Sequence, residues 1–282
     1  MKHLLLTGIT LILSISLFAQ PKELKKVLKN GYAYIPQKTS TDSVLAPFYL
    51  FKYEVSNFEY SAFLNHLKIK GDSIQLAITA VDTLKWNSLS FQNEKYVKYY
   101  FQHPAYRDFP VVNVSFEAAK LFCDYVQNAL SQKFPTYKFT CALPTKEQLL
   151  KAAKYTNFSV YAWGNSSLQN AAGAYKCNFS HIGSENIHRN EENQLVVQLP
   201  VLWHSFDYSD VTAPVKSYWP NEFGVYNLNG NVAEMIAEKG IALGGSWRDT
   251  GYDVRSSSET TYTEPSPSVG FRFVLTFTPV LK

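Results

Sequence analysis

Residues 223–247 read FGVYNLNGNVAEMIAEKGIALGGSW, and no single period describes them. Tyr226–Asn227–Leu228–Asn229–Gly230–Asn231 is a polar turn with apolar residues pinned at intervals. Val232–Ala233–Glu234–Met235–Ile236 returns to apolar chain, and Gly244–Gly245–Ser246–Trp247 sets two glycines beside a large aromatic. Asn and Gly tolerate left-handed backbone, and Asn bonds its side chain to nearby backbone. Their density around apolar residues predicts a long irregular segment that is nevertheless fixed. Asn and Glu oxygens with turn carbonyls are the donors a hard cation takes, so a bound cation is one way to fix it.

The motifs GVYNLNGNVAEM, ALGGSW and, later, SVGFRF resemble the C-terminal signature of the formylglycine-generating enzyme (sulfatase-modifying factor) superfamily. Upstream and in order, YEVSNFEYSAFL from Tyr53, FPVVNVSFEAAKLFCDYV from Phe109, LPTKEQLLKAAK from Leu143, YAWGN from Tyr161 and CNF from Cys177 resemble further family blocks. The resemblance implies an α+β, C-type-lectin-like fold with few short helices, small sheets and extensive irregular loops. It places that domain at 46–282, after an N-terminal extension over 20–45.

Enzymes of this superfamily oxidise a substrate cysteine with copper held by two thiolates that follow the GGS-aromatic motif. Here those positions are Asp249 and Val254, and all three cysteines (Cys123, Cys141, Cys177) lie before residue 178. Cu(I) selects soft sulfur ligands, so no copper is expected. Leu243 and Ala142 stand where the family carries arginines. A sibling branch binds non-haem iron through His-x-x-x-His-x-Glu, a spacing the six histidines do not show. There is no G-x-S-x-G, P-loop or G-x-G-x-x-G after a strand. Asp249, Asp253 and Glu259 cluster near the expected cleft mouth, so an enzyme with altered, metal-dependent chemistry is the second reading. Ordinary surface carboxylates are the simpler account of them.

The resemblance also implies structural calcium. One site would fall on Asn227, Gly230, Val232 and Glu234. A second would use Asn178 with Phe179, and Asp207 with Ser209.

The chain opens with Lys2, an apolar run from Leu4 to Phe18, and Ala19–Gln20, the pattern of a secretory signal peptide over 1–19. An exported protein of the periplasm, outer-membrane periphery or exterior is expected, with no spanning helix in the mature chain. A formal charge of +4 from scattered residues does not argue for nucleic acid. The odd cysteine count leaves at least one thiol without an intramolecular partner. Cys123 and Cys141 are plausible partners, and sequence leaves the pairing open.

Along the chain, Gly31 to Phe51 reads as strands around a polar turn, after a KELKKVLK stretch (Lys22–Lys29) read as a solvated extension. Ser56 with Glu59, and Thr145 with Gln148, have capping-box spacing, and Ser115 caps a third helix. Residues 73–108 are longer than the simplest family members need. His103–Pro104–Ala105–Tyr106 there is similar to the insert of the gliding-motility, type IX secretion lipoprotein branch. The insert reads as a strand pair, and its seven rings predict an exposed aromatic patch for a protein partner at Trp86, Tyr96, Tyr99, Tyr100 and Tyr106. The polar loop His181–Gln194 is the second choice.

The expectation is therefore an exported, calcium-stabilised, non-catalytic domain (a pseudoenzyme) that binds an envelope protein, with sugar binding through aromatic loops as a third reading.

Overall fold

A computed structural model describes residues 21–37, 45–89, 93–154, 156, 158–181, 187–197 and 211–280. The expected signal peptide and the expected calcium ligands Asp207 and Ser209 lie outside them.

Local end chemistry sets the longer helices. In α2 (Asn57–Lys70) the Ser56 hydroxyl accepts from the Glu59 amide, and the Glu59 carboxylate accepts from the Ser56 amide at 2.7 Å. Gly71 ends the helix in the left-handed conformation with φ 69°. Tyr60, Phe63 and Leu67 bury one face of it. Ser115 caps α5 (Phe116–Lys133), and the Thr145–Gln148 box opens α6 (Lys146–Ala152). Each box satisfies end donors reciprocally, which is why the spacing alone locates the helix.

Two four-stranded sheets carry the core. The first has the order β1 (Tyr32–Ile35), β2 (Phe48–Phe51), β10 (Val274–Pro279), β3 (Tyr137–Ala142), all neighbours antiparallel. The second has the order β8 (Glu259–Thr261), β7 (Ile241–Leu243), β6 (Ala233–Met235), β9 (Val269–Gly270), with β6 and β9 parallel. On β3, Tyr137, Phe139 and Cys141 face inward and alternate with exposed residues. They pack with Phe63, Phe122, Phe271 and Phe273 in an aromatic core between α2, α5 and the sheet.

The structure corrects three expectations. Residues 22–31 are not a solvated extension but helix α1 (Lys22–Gly31), whose Leu24 and Leu28 sit in the core. Four residues apart, they share one face while the lysines face water. With β1 paired to β2, the folded unit starts well before residue 46. The insert is not a strand pair but α3 (Ser73–Ile78), a 3-10 helix at Thr83–Ser88, α4 (Glu94–Tyr99) and a 3-10 turn at Pro104–Tyr106. The loop His181–Gln194 contains a strand, β4 (Ile187–Arg189), which pairs with β5 (Leu195–Val197).

Candidate functional site

Asn227 (φ 49°) and Asn231 (φ 63°) take left-handed backbone within the 227–231 turn, a conformation Asn tolerates better than most residues. Gly230 (φ 71°) packs so closely on the Asn178 carbonyl that a Cβ would overlap it. The turn then aims its asparagines inward as struts. Asn231 Nδ2 donates to Glu54 Oε1 at 2.8 Å and to the Ala213 carbonyl at 3.1 Å. Its Oδ1 accepts from the Ala213 amide at 2.7 Å and from Asn178 Nδ2 at 3.2 Å. Asn227 Nδ2 donates to Glu54 Oε2 at 3.0 Å. Asn229 holds the other side: its Oδ1 accepts from the Ala162 amide at 2.8 Å, and its Nδ2 donates to the Val254 carbonyl at 2.8 Å.

Glu54 is wholly buried, and burial, with Glu234 nearby, pushes its carboxyl up to about 8 against the opposing pull of Arg272, Asn227 and Asn231. Glu234 is equally buried and is raised by burial, opposed by Arg272. Arg272 faces it squarely: Nε donates to Oε2 at 2.6 Å and Nη2 donates to Oε1. The guanidinium also donates to the carbonyls of Tyr226 at 2.8 Å and Lys52 at 3.1 Å. Sequence reasoning assigned no role to Glu54 or Arg272. A single acid inside Tyr53–Glu54–Val55 and a single cation inside Gly270–Phe271–Arg272–Phe273 were the available signals.

The expected calcium ligands sit in different surroundings. At the first site both Glu234 oxygens already accept from Arg272, whose charge is permanent. A divalent ion on Glu234 would sit beside a guanidinium in a low-dielectric interior, so Glu234 does not fit as a ligand. The Asn227 Oδ1 is buried and lacks a hydrogen-bond partner. At the second site Asn178 Oδ1 is likewise buried without a partner, while its Nδ2 is fixed by the Val211 carbonyl at 2.8 Å. An oriented, desolvated amide oxygen suits a hard cation, so Asn178 fits. Phe179 follows it, buried.

The two thiol positions hold the fold together. Asp249 Oδ2 accepts from the Ser246 amide at 2.7 Å and from the Ser246 hydroxyl at 2.6 Å, closing the turn after Gly245. Gly245 (φ 64°) lies so close to the Asp253 carbonyl that no side chain fits. Val254 is fully buried with Tyr161, Cys177 and Phe179. Asp253 accepts from the Thr250 hydroxyl at 2.7 Å. Among the described residues, no group of three or more His, Cys, Asp or Glu is placed to hold a metal. Beside this turn opens a cavity of 330 Å³ lined by Leu168, Gln169, Tyr175, Phe179, His181 and Thr250, among others.

The expected aromatic patch is corrected. Trp86, Tyr96 and Tyr100 are buried, Tyr106 is half-buried, and of the five only Tyr99 is exposed. Trp86 and Tyr100 pack in a tilted pair, 4.6 Å between centroids, and Tyr100 donates to the Pro110 carbonyl at 2.7 Å. Phe91 lies outside the described residues.

Two small four-stranded sheets, few helices and a long asparagine-strutted loop define a C-type-lectin-like α+β domain. The family model described as "Sulfatase-modifying factor enzyme 1-like domain" matches residues 24–277, and the chain belongs to that family. Three solved structures resemble it. One is titled "Crystal Structure of CarF" (20% identity, 89% of this chain and 96% of that chain covered, TM-score 0.49). Another is PvdO from Pseudomonas aeruginosa (15%, 87% and 92%, TM-score 0.49). The third is Treponema denticola variable protein 1 (16%, 86% and 92%, TM-score 0.48). No curated protein matches the chain.

Proposed function

We propose that this chain is an exported, non-catalytic formylglycine-generating-enzyme-like domain that binds another protein at the cell envelope, beside type IX secretion or gliding machinery. The observation that carries the reading is the use made of positions 249 and 254. Where the family's copper chemistry needs two thiolates, one carboxylate closes a turn and one valine fills the core. The neighbouring cavity, with its aromatic and polar lining, is the recognition surface of this reading. Calcium is part of the proposal at Asn178, Phe179, Asp207 and Ser209.

A photo-crosslinking residue at Gln169, exposed on the cavity rim, should join the full chain to one discrete envelope protein, while the same residue at exposed Ile74 should not. Equal crosslinking from both positions, or none from Gln169, overturns the binding role. For calcium, a chelator should lower the melting temperature and added Ca²⁺ should restore it. Asn178→Ala should abolish that response and Glu234→Gln should keep it.

A further inference from the structure

The geometry points to a disulfide bond between Cys123 and Cys141, formed in the folded chain when it meets a small-molecule disulfide oxidant. Both residues are buried thiols in the structure. Cys123 lies on α5 and Cys141 on β3, and four independent features bring them together.

Gln127 is the first. Four residues beyond Cys123, it projects from the same face of α5. Its Oε1 accepts from the Cys141 amide at 3.1 Å, which fixes β3 against that face at the level of Cys141. The second is the strand's alternation, which turns Cys141 inward with Tyr137 and Phe139. Both cysteines then share one core cluster with Ala119, Phe122 and Phe139. Third, both line a single cavity of 230 Å³, whose other walls include Phe116, Lys120, Ala142 and Lys239. Fourth, burial and then the Cys123 thiol push the Cys141 thiol up, so the two sulfurs feel one another directly. Cys177 does not compete. It packs in a separate cluster with Tyr161, Phe179 and Val254.

The cavity supplies the route for chemistry. Because the Cys141 thiol is pushed up and holds its proton, Cys123 makes the first attack: its thiolate attacks one sulfur of a disulfide RSSR and expels RS⁻, leaving a mixed disulfide. The expelled RS⁻ takes the Cys141 proton, and the Cys141 sulfur then displaces the remaining RS⁻ and closes the bond. The two thiols together give up two protons and two electrons, and RSSR is reduced to two RSH. The cavity wall carries Lys120, Lys239 and Asp124, with Lys239 paired to Glu117, so an oxidant such as oxidised glutathione meets both signs of charge there. The bond would tie the middle of α5 to β3, which neighbours β10 at the centre of the first sheet.

The experiment is thiol counting with peptide mapping on the folded full chain. Reduced protein should show three titratable thiols after denaturation. Incubation with oxidised glutathione under native conditions should leave one, with a single peptide pair joining Cys123 to Cys141 that a thiol reductant cleaves. Cys177→Ala should leave that linkage intact, and Cys141→Ala should abolish it without creating another intramolecular bond. Oxidation should raise the melting temperature by roughly 5–10 °C. Three thiols remaining, glutathione adducts without a cross-link, or any linkage through Cys177 overturns the proposal.

Discussion

Arg272 and Glu234 form a buried ion pair, joining the chain just after β9 to the inner strand β6 through two parallel hydrogen bonds. Bidentate pairing fixes orientation as well as distance. Because the guanidinium also takes carbonyls from the chain after β2 and from Tyr226, this one side chain ties together three segments that are far apart in sequence.

Removing one member leaves the other charged, buried and uncompensated. Arg272→Met should destabilise the fold by about 3–5 kcal/mol, measured by urea denaturation. The double variant Arg272→Met/Glu234→Gln should recover part of that loss. A loss in the double variant equal to the sum of the Arg272→Met and Glu234→Gln losses would show that the two side chains are not coupled.

Glu54 predicts a pH dependence. Its folded carboxyl sits near 8 against an ordinary value of 4.5, so the folded state holds the extra proton between those limits. Its contribution to stability is therefore fully present below about pH 4.5 and is lost as pH rises to about 8, by an amount on the order of a few kcal/mol. Glu54→Gln removes this slope. Relative to the parent chain, the variant should be more favourable at pH 8 than at pH 5 in urea denaturation at each pH. A stability difference that does not vary between those pH values contradicts the assignment.

The insert rings should behave as core. Trp86→Ala should cost about 3–5 kcal/mol, whereas Tyr99→Ser should fall within about 0.5 kcal/mol of the parent. Thermal or urea unfolding of the two variants checks the contrast. A silent Trp86→Ala would restore the surface reading of this segment.

What the sequence made legible was local. The Ser56–Glu59 and Thr145–Gln148 boxes are three-residue signals whose chemistry is complete within one turn, and both helices begin where those signals lie. Helix α1 carried its signal in Leu24 and Leu28, four apart, but the surrounding lysines obscured it. The insert misled because seven rings looked too many to bury beneath a strand pair. Short helices place Tyr96 and Tyr100 one turn apart, and both reach Trp86. The cation-like site was the least legible. Glu234 was read with its sequence neighbours, yet its partner lies 38 residues away, and Glu54 reaches Asn231 across 177. No period or spacing records contacts of that kind. The role of Asp249 as a turn-closing carboxylate depends in the same way on backbone geometry around Gly245.

The most direct test of the non-catalytic reading is oxygen-dependent conversion of the cysteine in a sulfatase-motif peptide, using the full chain with copper supplied. The account predicts product no higher than in a protein-free control, and no change on substituting Asp249→Asn, whose expected effect is a modest loss of stability at the Ser246 turn. Copper-dependent turnover that disappears in Asp249→Asn while the variant remains folded would contradict it.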